Sequence, residues 1–239
     1  MGEQNNSVPV VAIVVAAGSG SRLGAEVPKA LVPVAGIPLV ARAVARLAAG
    51  GVDEVVAVIP AAERDAFTDA LAASPIPVVL VDGGSERQDS VANGIAALPD
   101  LPQEDADGQV VLVHDAARAF VPAEVVARVI AAVRAGAEAV IPVVPVSDSI
   151  REVTDGGSAV IDRSRLRAVQ TPQGFSRGVL EDAHAAVFET KASVTDDAAA
   201  AEYIGCEVTL VEGSRDAFKV TEPVDLLVAE AIAAREESA

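Results

Sequence analysis

The sequence is poor in the residues that build disulfides and metal clusters. It contains one cysteine, Cys206, and two histidines, His114 and His184. One cysteine excludes an internal disulfide, and so few cysteines and histidines offer no Cys/His metal cluster. We predict a cytoplasmic protein in which Cys206 packs in the core and His184 lies on a helix surface.

Basic residues are scarce as well. The chain has 18 Lys and Arg against 35 Asp and Glu, for a net charge of −17. An acidic surface repels nucleic acid and anionic membranes, so we predict neither as a partner, and an anionic substrate would need a local basic pocket. No uncharged apolar run approaches the roughly 20 residues that cross a bilayer. Residues 1–7 are polar, carry no basic residue and are predicted to be a disordered tail.

Aliphatic residues are abundant. Of the 239 residues 51% are hydrophobic but only 3% are aromatic. This length suits one α/β domain with a small appendage. Strand and helix patterns alternate, which predicts a mainly parallel sheet covered by helices on both faces, built from residues 8–146 and 171–239. Residues 101–108 are acidic and rich in turn formers, so they are expected to form a surface connection.

The alternation changes between residues 147 and 170. Residues 150–153 and 159–161 alternate like two strands around the turn Asp155-Gly156-Gly157, which predicts an inserted β-arm. A two-stranded hairpin alone is marginally stable in water, so we expect the arm to pack on a second subunit and to form a homodimer. The alternative is a hairpin that folds back on its own domain.

A glycine-containing loop follows the first predicted strand, residues 10–15. It reads Ala16-Ala17-Gly18-Ser19-Gly20-Ser21-Arg22-Leu23-Gly24, with Pro28-Lys29 just beyond. Small residues let backbone N–H groups approach an anion closely, and Arg22 and Lys29 add two positive charges. The combination predicts chemistry on a triphosphate.

Two familiar glycine loops fit poorly. A Walker loop needs Lys and Ser or Thr directly after its second spaced glycine, but Gly24 is followed by Ala25-Glu26. A dinucleotide loop has a different glycine spacing, and the second predicted strand ends at Ile59-Pro60 without an acid for the ribose.

Three further segments place functional residues at or near the carboxyl ends of predicted strands, where open α/β sheets bind ligands. The first supplies Gly84 and Ser90, the second Asp115, and the third Lys219, which we place near a strand. A carboxylate in the position of Asp115 suits Mg²⁺ held between phosphates. The alternatives are structural: Asp115 could cap a helix or pair with Arg118, and a lone lysine or arginine is most often a solvated charge.

Taken together, these motifs resemble the 2-C-methyl-D-erythritol 4-phosphate cytidylyltransferase family of the non-mevalonate isoprenoid pathway. The resemblance spans residues 16–226. It rests on Ala-Ala-Gly-Ser-Gly-x-Arg with Pro28-Lys29, Gly-Gly-x-x-Arg-x-x-Ser-Val at 83–91, His-Asp-Ala-Ala-Arg at 114–118, Thr-Pro-Gln at 171–173, Thr-Asp-Asp-Ala at 195–198 and Lys-Val-Thr at 219–221. Ala119 departs from the family, which usually has proline there.

The resemblance implies a Rossmann-like nucleotidyltransferase that joins CTP to 2-C-methyl-D-erythritol 4-phosphate and releases pyrophosphate. It implies that the catalytic residues are Arg22, Lys29, Lys219 and, from the arm of the neighbouring subunit, Arg163. The implied nucleotide contacts are Ala16, Ala17, Gly18, Gly20, Gly84, Ser85 and Ser90. The implied contacts to the polyol phosphate are Asp115, Arg118, Ser149 and Thr171, and those to Mg²⁺ are Asp115 and Asp216.

Three other functions remain open on the sequence. A ribitol phosphate cytidylyltransferase would share most of these motifs and differ in the polyol pocket. A nucleotide-binding module without turnover would bind CTP and lose nothing measurable in Arg22→Ala. A dehydrogenase would use the glycine loop for a dinucleotide and bind a nicotinamide cofactor.

Overall fold

The computed structural model describes residues 8–18, 23 and 27–238. Within this part the chain forms a central sheet, helices on both of its faces and one separate hairpin. The predicted tail, residues 1–7, lies outside the described residues.

The central sheet is mainly parallel, as predicted. Its strands are β1 (Val11–Val15), β4 (Glu54–Ile59), β5 (Val78–Asp82), β6 (Val110–Asp115), β7 (Ala139–Pro145), β10 (Arg167–Val169), β11 (Gln173–Ser176) and β12 (Val208–Glu212). The order is β10-β7-β11-β6-β1-β4-β5, and β12 also pairs with β7. The pairs β1–β4, β1–β6, β4–β5 and β7–β12 are parallel, whereas β10 and β11 run antiparallel to their neighbours.

The helices cover both faces of this sheet. They are α1 (Leu39–Ala49), α2 (Arg64–Leu71), α3 (Arg87–Ala96), α4 (Gln103–Gly108), α5 (Ala123–Arg134), α6 (Arg177–Thr190), α7 (Asp197–Tyr203) and α8 (Pro223–Glu237). Alternate residues of the central strands pack against α1, α2 and α5 on one face and against α3, α6 and α7 on the other. Because the central strands are buried on both faces, their sequences are nearly continuous runs of Val and Ile.

Helix α8 packs in a hydrophobic cluster separate from those on the two faces of the sheet. Its apolar stripe, Ala229, Ile232 and Ala233, packs with Leu39 and Phe120. A minor two-stranded ladder, β2 (Pro33–Val34) with β3 (Ile37–Pro38), lies beneath it. The stripe therefore packs α8 against the rest of the domain.

The surface connection predicted for residues 101–108 contains the short helix α4, which Pro102 can precede without losing a needed N–H. One local expectation was wrong, because Lys219 lies in a loop rather than near a strand of its own. That loop is anchored where the Val220 N–H donates to the Ala117 carbonyl, 2.9 Å away.

The inserted segment holds a separate hairpin, β8 (Ile150–Thr154) with β9 (Gly157–Ile161). Residues 167–169 also fall in the stretch predicted to be the arm, but they form β10 of the central sheet. The separate hairpin therefore begins and ends inside the predicted boundaries. None of the described helices combines the length and apolarity that crossing a membrane requires.

Candidate active site

Four chain segments converge at the carboxyl ends of the central strands. The loops after these strands continue the parallel ladder: the Ala16 N–H donates to Val58 O at 2.8 Å, that of Gly83 to Ile59 O at 2.7 Å, and that of Ala116 to Val15 O at 3.1 Å. These bonds draw the three loops side by side at one edge of the sheet. The loop that contains Lys219 completes the group.

The loops enclose a cavity of about 410 Å³. Its walls are small residues and backbone with a few charged side chains. The lining comprises Val15, Ala16, Ala17, Gly18, Lys29, Ala30, Gly84, Ser85, Glu86, Arg87, Ser90, Asp115, Ala116, Ala117 and Lys219. A cavity of this volume is in the range of small-molecule sites, and its backbone-rich wall suits a ligand that binds by hydrogen bonds.

Close contact between two loops shapes one wall. A Cβ atom built on Gly83 would lie 2.4 Å from the Ala17 Cβ, so only glycine permits this approach. The buried Ser90 hydroxyl lies between the loops, where it accepts from the Gly84 N–H at 3.1 Å and donates to the Glu86 carbonyl at 3.0 Å. Ser90 therefore holds the Gly84 backbone in place beside the cavity.

Asp115 is the charged centre of the site. As the last residue of the buried strand β6, it carries a carboxylate 2.8 Å from Lys219 Nζ, 3.6 Å from Arg87 Nε and 3.7 Å from Arg118 Nε. Burial acts to raise the pKa of Asp115, but the positive charges of Lys219, Arg87 and Arg118 outweigh it and lower that pKa to about 2. The carboxylate is therefore ionised at any physiological pH.

Thr171 and His114 hold the backbone of Asp115 in place. The Asp115 N–H donates to Thr171 Oγ1 at 3.1 Å, and the same oxygen lies 3.0 Å from His114 Nδ1. Burial lowers the pKa of His114 to about 4, which makes its imidazole neutral at pH 7. His114 thus orients the loop through Thr171.

Arg87 connects the site to the protein interior. Its guanidinium lies 2.7 Å from Asp197 Oδ2, and Asp197 Oδ1 lies 3.1 Å from His184 Nε2. Burial acts to lower the pKa of Arg87, yet the negative charges of Asp197 and Asp115 outweigh it and raise that pKa. Burial acts to raise the pKa of Asp197, but the hydrogen bond from His184 and the charge of Arg87 lower it. The prediction that His184 lies on a helix surface was wrong, because His184 is only 7% exposed and faces α7.

A second, smaller cavity of about 170 Å³ adjoins the first. Its lining is more polar and shares Arg87, Asp115 and Lys219 with the larger cavity. The remaining lining residues are Arg118, Val169, Gln170, Thr171, Gln173, Thr195 and Asp196. The three shared side chains form the junction at which two bound molecules would meet.

The structure brings most of the predicted site residues together. The large cavity is lined by Lys29, Lys219, Asp115, Ala16, Ala17, Gly18, Gly84, Ser85 and Ser90, and the small one by Arg118 and Thr171. Arg22 and Gly20 lie outside the described residues.

Three predicted site residues are not brought to either cavity within this chain. The exposed Arg163 donates to the Ser147 carbonyl, and Ser149 is exposed in the loop before β8. Asp216 pairs with Arg235 at 2.7 Å and lines neither cavity. Among the described residues no group of three acidic, histidine or cysteine side chains could hold a metal ion. Of the three side chains that line both cavities, Asp115 carries the carboxylate.

The sequence reasoning assigned no role to Arg87, Glu86 or Asp197. Arg87 stands in the Gly-Gly-x-x-Arg motif, and its place at the start of α3 beside a glycine loop was a usable signal. Asp197 carried a weaker signal, since an acid at a helix start is most often a cap. Only the packing of α6 on α7 makes it a buried ion-pair partner.

Comparisons with known proteins identify the family of this chain. The sequence matches the family described as "IspD: 2-C-methyl-D-erythritol 4-phosphate cytidylyltransferase" over residues 10–235. A protein of that name from Saccharopolyspora erythraea is 50% identical over 228 residues, which cover 94% of this chain and 99% of the relative. One from Nocardia farcinica is 44% identical and covers 97% of each chain.

Solved structures agree as well. The crystal structure of 2-C-methyl-D-erythritol 4-phosphate cytidylyltransferase from Thermus thermophilus is 35% identical, with a TM-score of 0.76 over 95% of this chain and 99% of that one. That of 4-diphosphocytidyl-2C-methyl-D-erythritolsynthase from Anaerococcus prevotii is 25% identical, with a TM-score of 0.82 over 96% of this chain and 97% of that one. With a family match over nearly the whole length and relatives of this identity, the chain belongs to the 2-C-methyl-D-erythritol 4-phosphate cytidylyltransferase family.

Proposed function

We propose that this cytidylyltransferase transfers CMP from CTP to 2-C-methyl-D-erythritol 4-phosphate in the two adjoining cavities and releases pyrophosphate. The observation that supports the assignment is the junction of the cavities. There Lys219, Asp115 and Arg87 stand between a larger, backbone-lined cavity that suits a nucleotide and a smaller, polar one that suits a polyol phosphate.

The chemistry needs no protein nucleophile. The substrate phosphate is ionised at neutral pH and attacks the α-phosphorus of CTP in line, so negative charge grows on the equatorial oxygens and on the departing pyrophosphate. Lys29 lines the nucleotide cavity, and with Arg22 it would stabilise that charge. The position of Lys29 in the cavity lining supports the role that the family resemblance implies for it.

At the junction, Lys219 would position the attacking phosphate. Its side chain is 41% exposed while it pairs with Asp115, so it can contact a phosphate without leaving that carboxylate. Arg118, whose guanidinium donates to the Ala217 carbonyl at 2.9 Å, and Thr171 complete the proposed polyol phosphate cavity. Burial lowers the pKa of Arg118, and the nearby Asp115 opposes that shift.

Mg²⁺ fits this site through one protein carboxylate. Magnesium prefers one or two carboxylates with phosphate oxygens and water, and Asp115 stays ionised beside the nucleotide cavity. Asp216 pairs with Arg235, so we propose Asp115 as the one protein ligand of the metal. When bound, Mg²⁺ would supply positive charge that offsets the charge of the CTP phosphates.

A homodimer would complete the site. The hairpin exposes Val153 at 85% and Val160 at 70%, two apolar side chains on one face that a second copy could cover. Arg163 follows β9, donates to the Ser147 carbonyl and lines neither cavity of its own chain. We propose that Arg163 of the partner subunit contacts the polyol phosphate.

The test is pyrophosphate release from CTP and Mg²⁺ with 2-C-methyl-D-erythritol 4-phosphate or ribitol 5-phosphate offered separately. We expect release with the first alone and its loss in Lys29→Ala. Release with ribitol 5-phosphate alone would leave the assigned fold unchanged and replace the assigned substrate. Binding of CTP without release from either would indicate a nucleotide-binding module.

A further inference from the structure

Asp197 is a buried carboxylate with two different partners. It is 1% exposed at the first turn of α7, and its two oxygens contact His184 Nε2 at 3.1 Å and the Arg87 guanidinium at 2.7 Å. A buried ion pair costs much of what it gains, so stability alone explains its presence poorly. The arrangement instead connects the packed helices α6 and α7 to a side chain that lines both cavities.

The position of Arg87 is the consequence of this contact. Its Nε lies 3.6 Å from Asp115 Oδ1, a distance of charge attraction without a hydrogen bond. The short contact of Asp115 is the one to Lys219, at 2.8 Å. Asp197 therefore holds Arg87 back from Asp115, which keeps the Asp115 carboxylate paired with Lys219.

We propose that the buried His184–Asp197 pair is a positioning unit that holds the Arg87 guanidinium at the junction of the two cavities, so that Arg87 meets the anionic second substrate in one orientation. This proposal rests on the proposed function, since it places the polyol phosphate in the smaller cavity. His184 and Asp197 act only through Arg87, because neither lines a cavity.

Simple electrostatics gives the opposite expectation. Around the smaller cavity stand the cations Arg87, Arg118 and Lys219 and the anions Asp115, Asp196 and Asp197. Removing the charge of Asp197 makes this surrounding more positive, so charge alone predicts tighter binding of an anionic substrate. Positioning predicts weaker binding, because a guanidinium without its charged partner samples several orientations.

The direction in which Asp197→Asn changes the KM for the polyol phosphate distinguishes positioning from simple electrostatics. We expect the KM for 2-C-methyl-D-erythritol 4-phosphate to rise about tenfold, with a smaller change in the Kd for CTP. Glu181→Gln is the matched control, since it removes an ion pair on α6 with Arg177 and touches neither cavity. An unchanged or lower KM in Asp197→Asn would overturn the proposal.

A double-mutant cycle tests the route through Arg87. In the background of Arg87→Gln, Asp197→Asn should change that KM by less than about twofold, since the side chain on which it acts is gone. Additive effects would contradict the proposal. If wild-type protein shows no turnover of the polyol phosphate, the proposed function fails instead, so the two failures are distinguishable.

His184 provides a test that keeps the buried carboxylate. His184→Gln retains a donor near the Nε2 position, whereas His184→Leu leaves Asp197 with Arg87 alone. We expect the KM to rise in the leucine variant and to return toward the wild-type value in the glutamine variant. Thermal unfolding would establish that both variants are folded. Equal KM values in the two folded variants would argue against a positioning unit.

Discussion

Asp115 shows how one residue can organise a site. Three cations surround its carboxylate, so its charge attracts Lys219, Arg87 and Arg118, which lie 2.8, 3.6 and 3.7 Å from it. Without that charge the three cations would repel each other. The geometry of the junction thus depends on the negative charge at the end of β6 as well as on Asp197, which holds Arg87.

We predict that Asp115→Asn lowers kcat/KM about 100-fold, because charge-assisted contacts to three side chains are weakened together. Steady-state kinetics of pyrophosphate release would measure the loss. The control is Glu236→Gln, which removes the ion pair of α8 with Arg46, away from both cavities. Kinetics of Asp115→Asn close to the wild type would remove Asp115 from the proposed mechanism.

His114 makes the stability of the fold sensitive to acid. Its pKa is about 4 in the folded protein and about 6.5 when exposed. As pH falls from 6.5 to 4, the unfolded chain takes up a proton that the buried imidazole refuses, so stability falls by about 3 kcal/mol over this range. Above about pH 7.5 His114 is neutral in both states and its contribution no longer depends on pH.

Urea unfolding at pH 7.5, 5.5 and 4.5 would measure this dependence against His114→Gln. We expect the variant to be less stable at pH 7.5 but to lose less stability on acidification. Parallel losses in the two proteins would show that other groups cause the acid sensitivity.

At the scale of elements, the site depends on how closely two loops approach. The loops after β1 and β5 contact each other at Ala17 and Gly83, and a methyl group at Gly83 would lie 2.4 Å from the Ala17 side chain and 3.2 Å from Ser90 Oγ. Real Cβ atoms do not come so close, so one loop would have to move. The nucleotide cavity lies between these loops and would change shape.

We expect Gly83→Ala to raise the Kd for CTP about tenfold, as measured by calorimetry. The midpoint of thermal unfolding should change less than this loss of affinity would suggest. Gly178→Ala serves as the control, because nothing lies within 4 Å of its added methyl group and alanine favours the helix α6. A CTP affinity for Gly83→Ala equal to that of the control would mean that the contact does not shape the nucleotide cavity.

At the scale of the whole molecule, the proposed dimer would divide each active site between two chains. Lys29 lines the cavity of its own chain, and Arg163 lines neither cavity there. If the sites are shared, a heterodimer of Lys29→Ala and Arg163→Ala chains contains one site with both substitutions and one with neither.

Mixing the two inactive variants in equal amounts and allowing subunit exchange should restore about a quarter of the wild-type activity, since half of the dimers are mixed and each has one complete site. Light scattering would establish the dimer, and tagged chains would verify the exchange. No recovery after verified exchange would place Arg163 outside the active site of the partner.

The sequence by itself determined the α/β class, the glycine loop and most cavity residues. Alternating Val-rich strands and amphipathic helices allow few architectures, and in a parallel sheet the residues after the strands must meet at one edge. This is why Gly84, Ser90 and Asp115 could be named before the fold was known, whereas Lys219 lies in a loop without a strand of its own.

Only the tertiary structure decided which charged side chains pair. Asp197 lies 110 residues from Arg87 along the chain, and Asp216 contacts Arg235 on α8 instead of the cavity. Such contacts depend on how α6, α7 and α8 pack, which periodicity does not encode. His184 illustrates the physical reason: a polar residue on a helix reads as exposed until a buried carboxylate from a neighbouring helix gives it a partner.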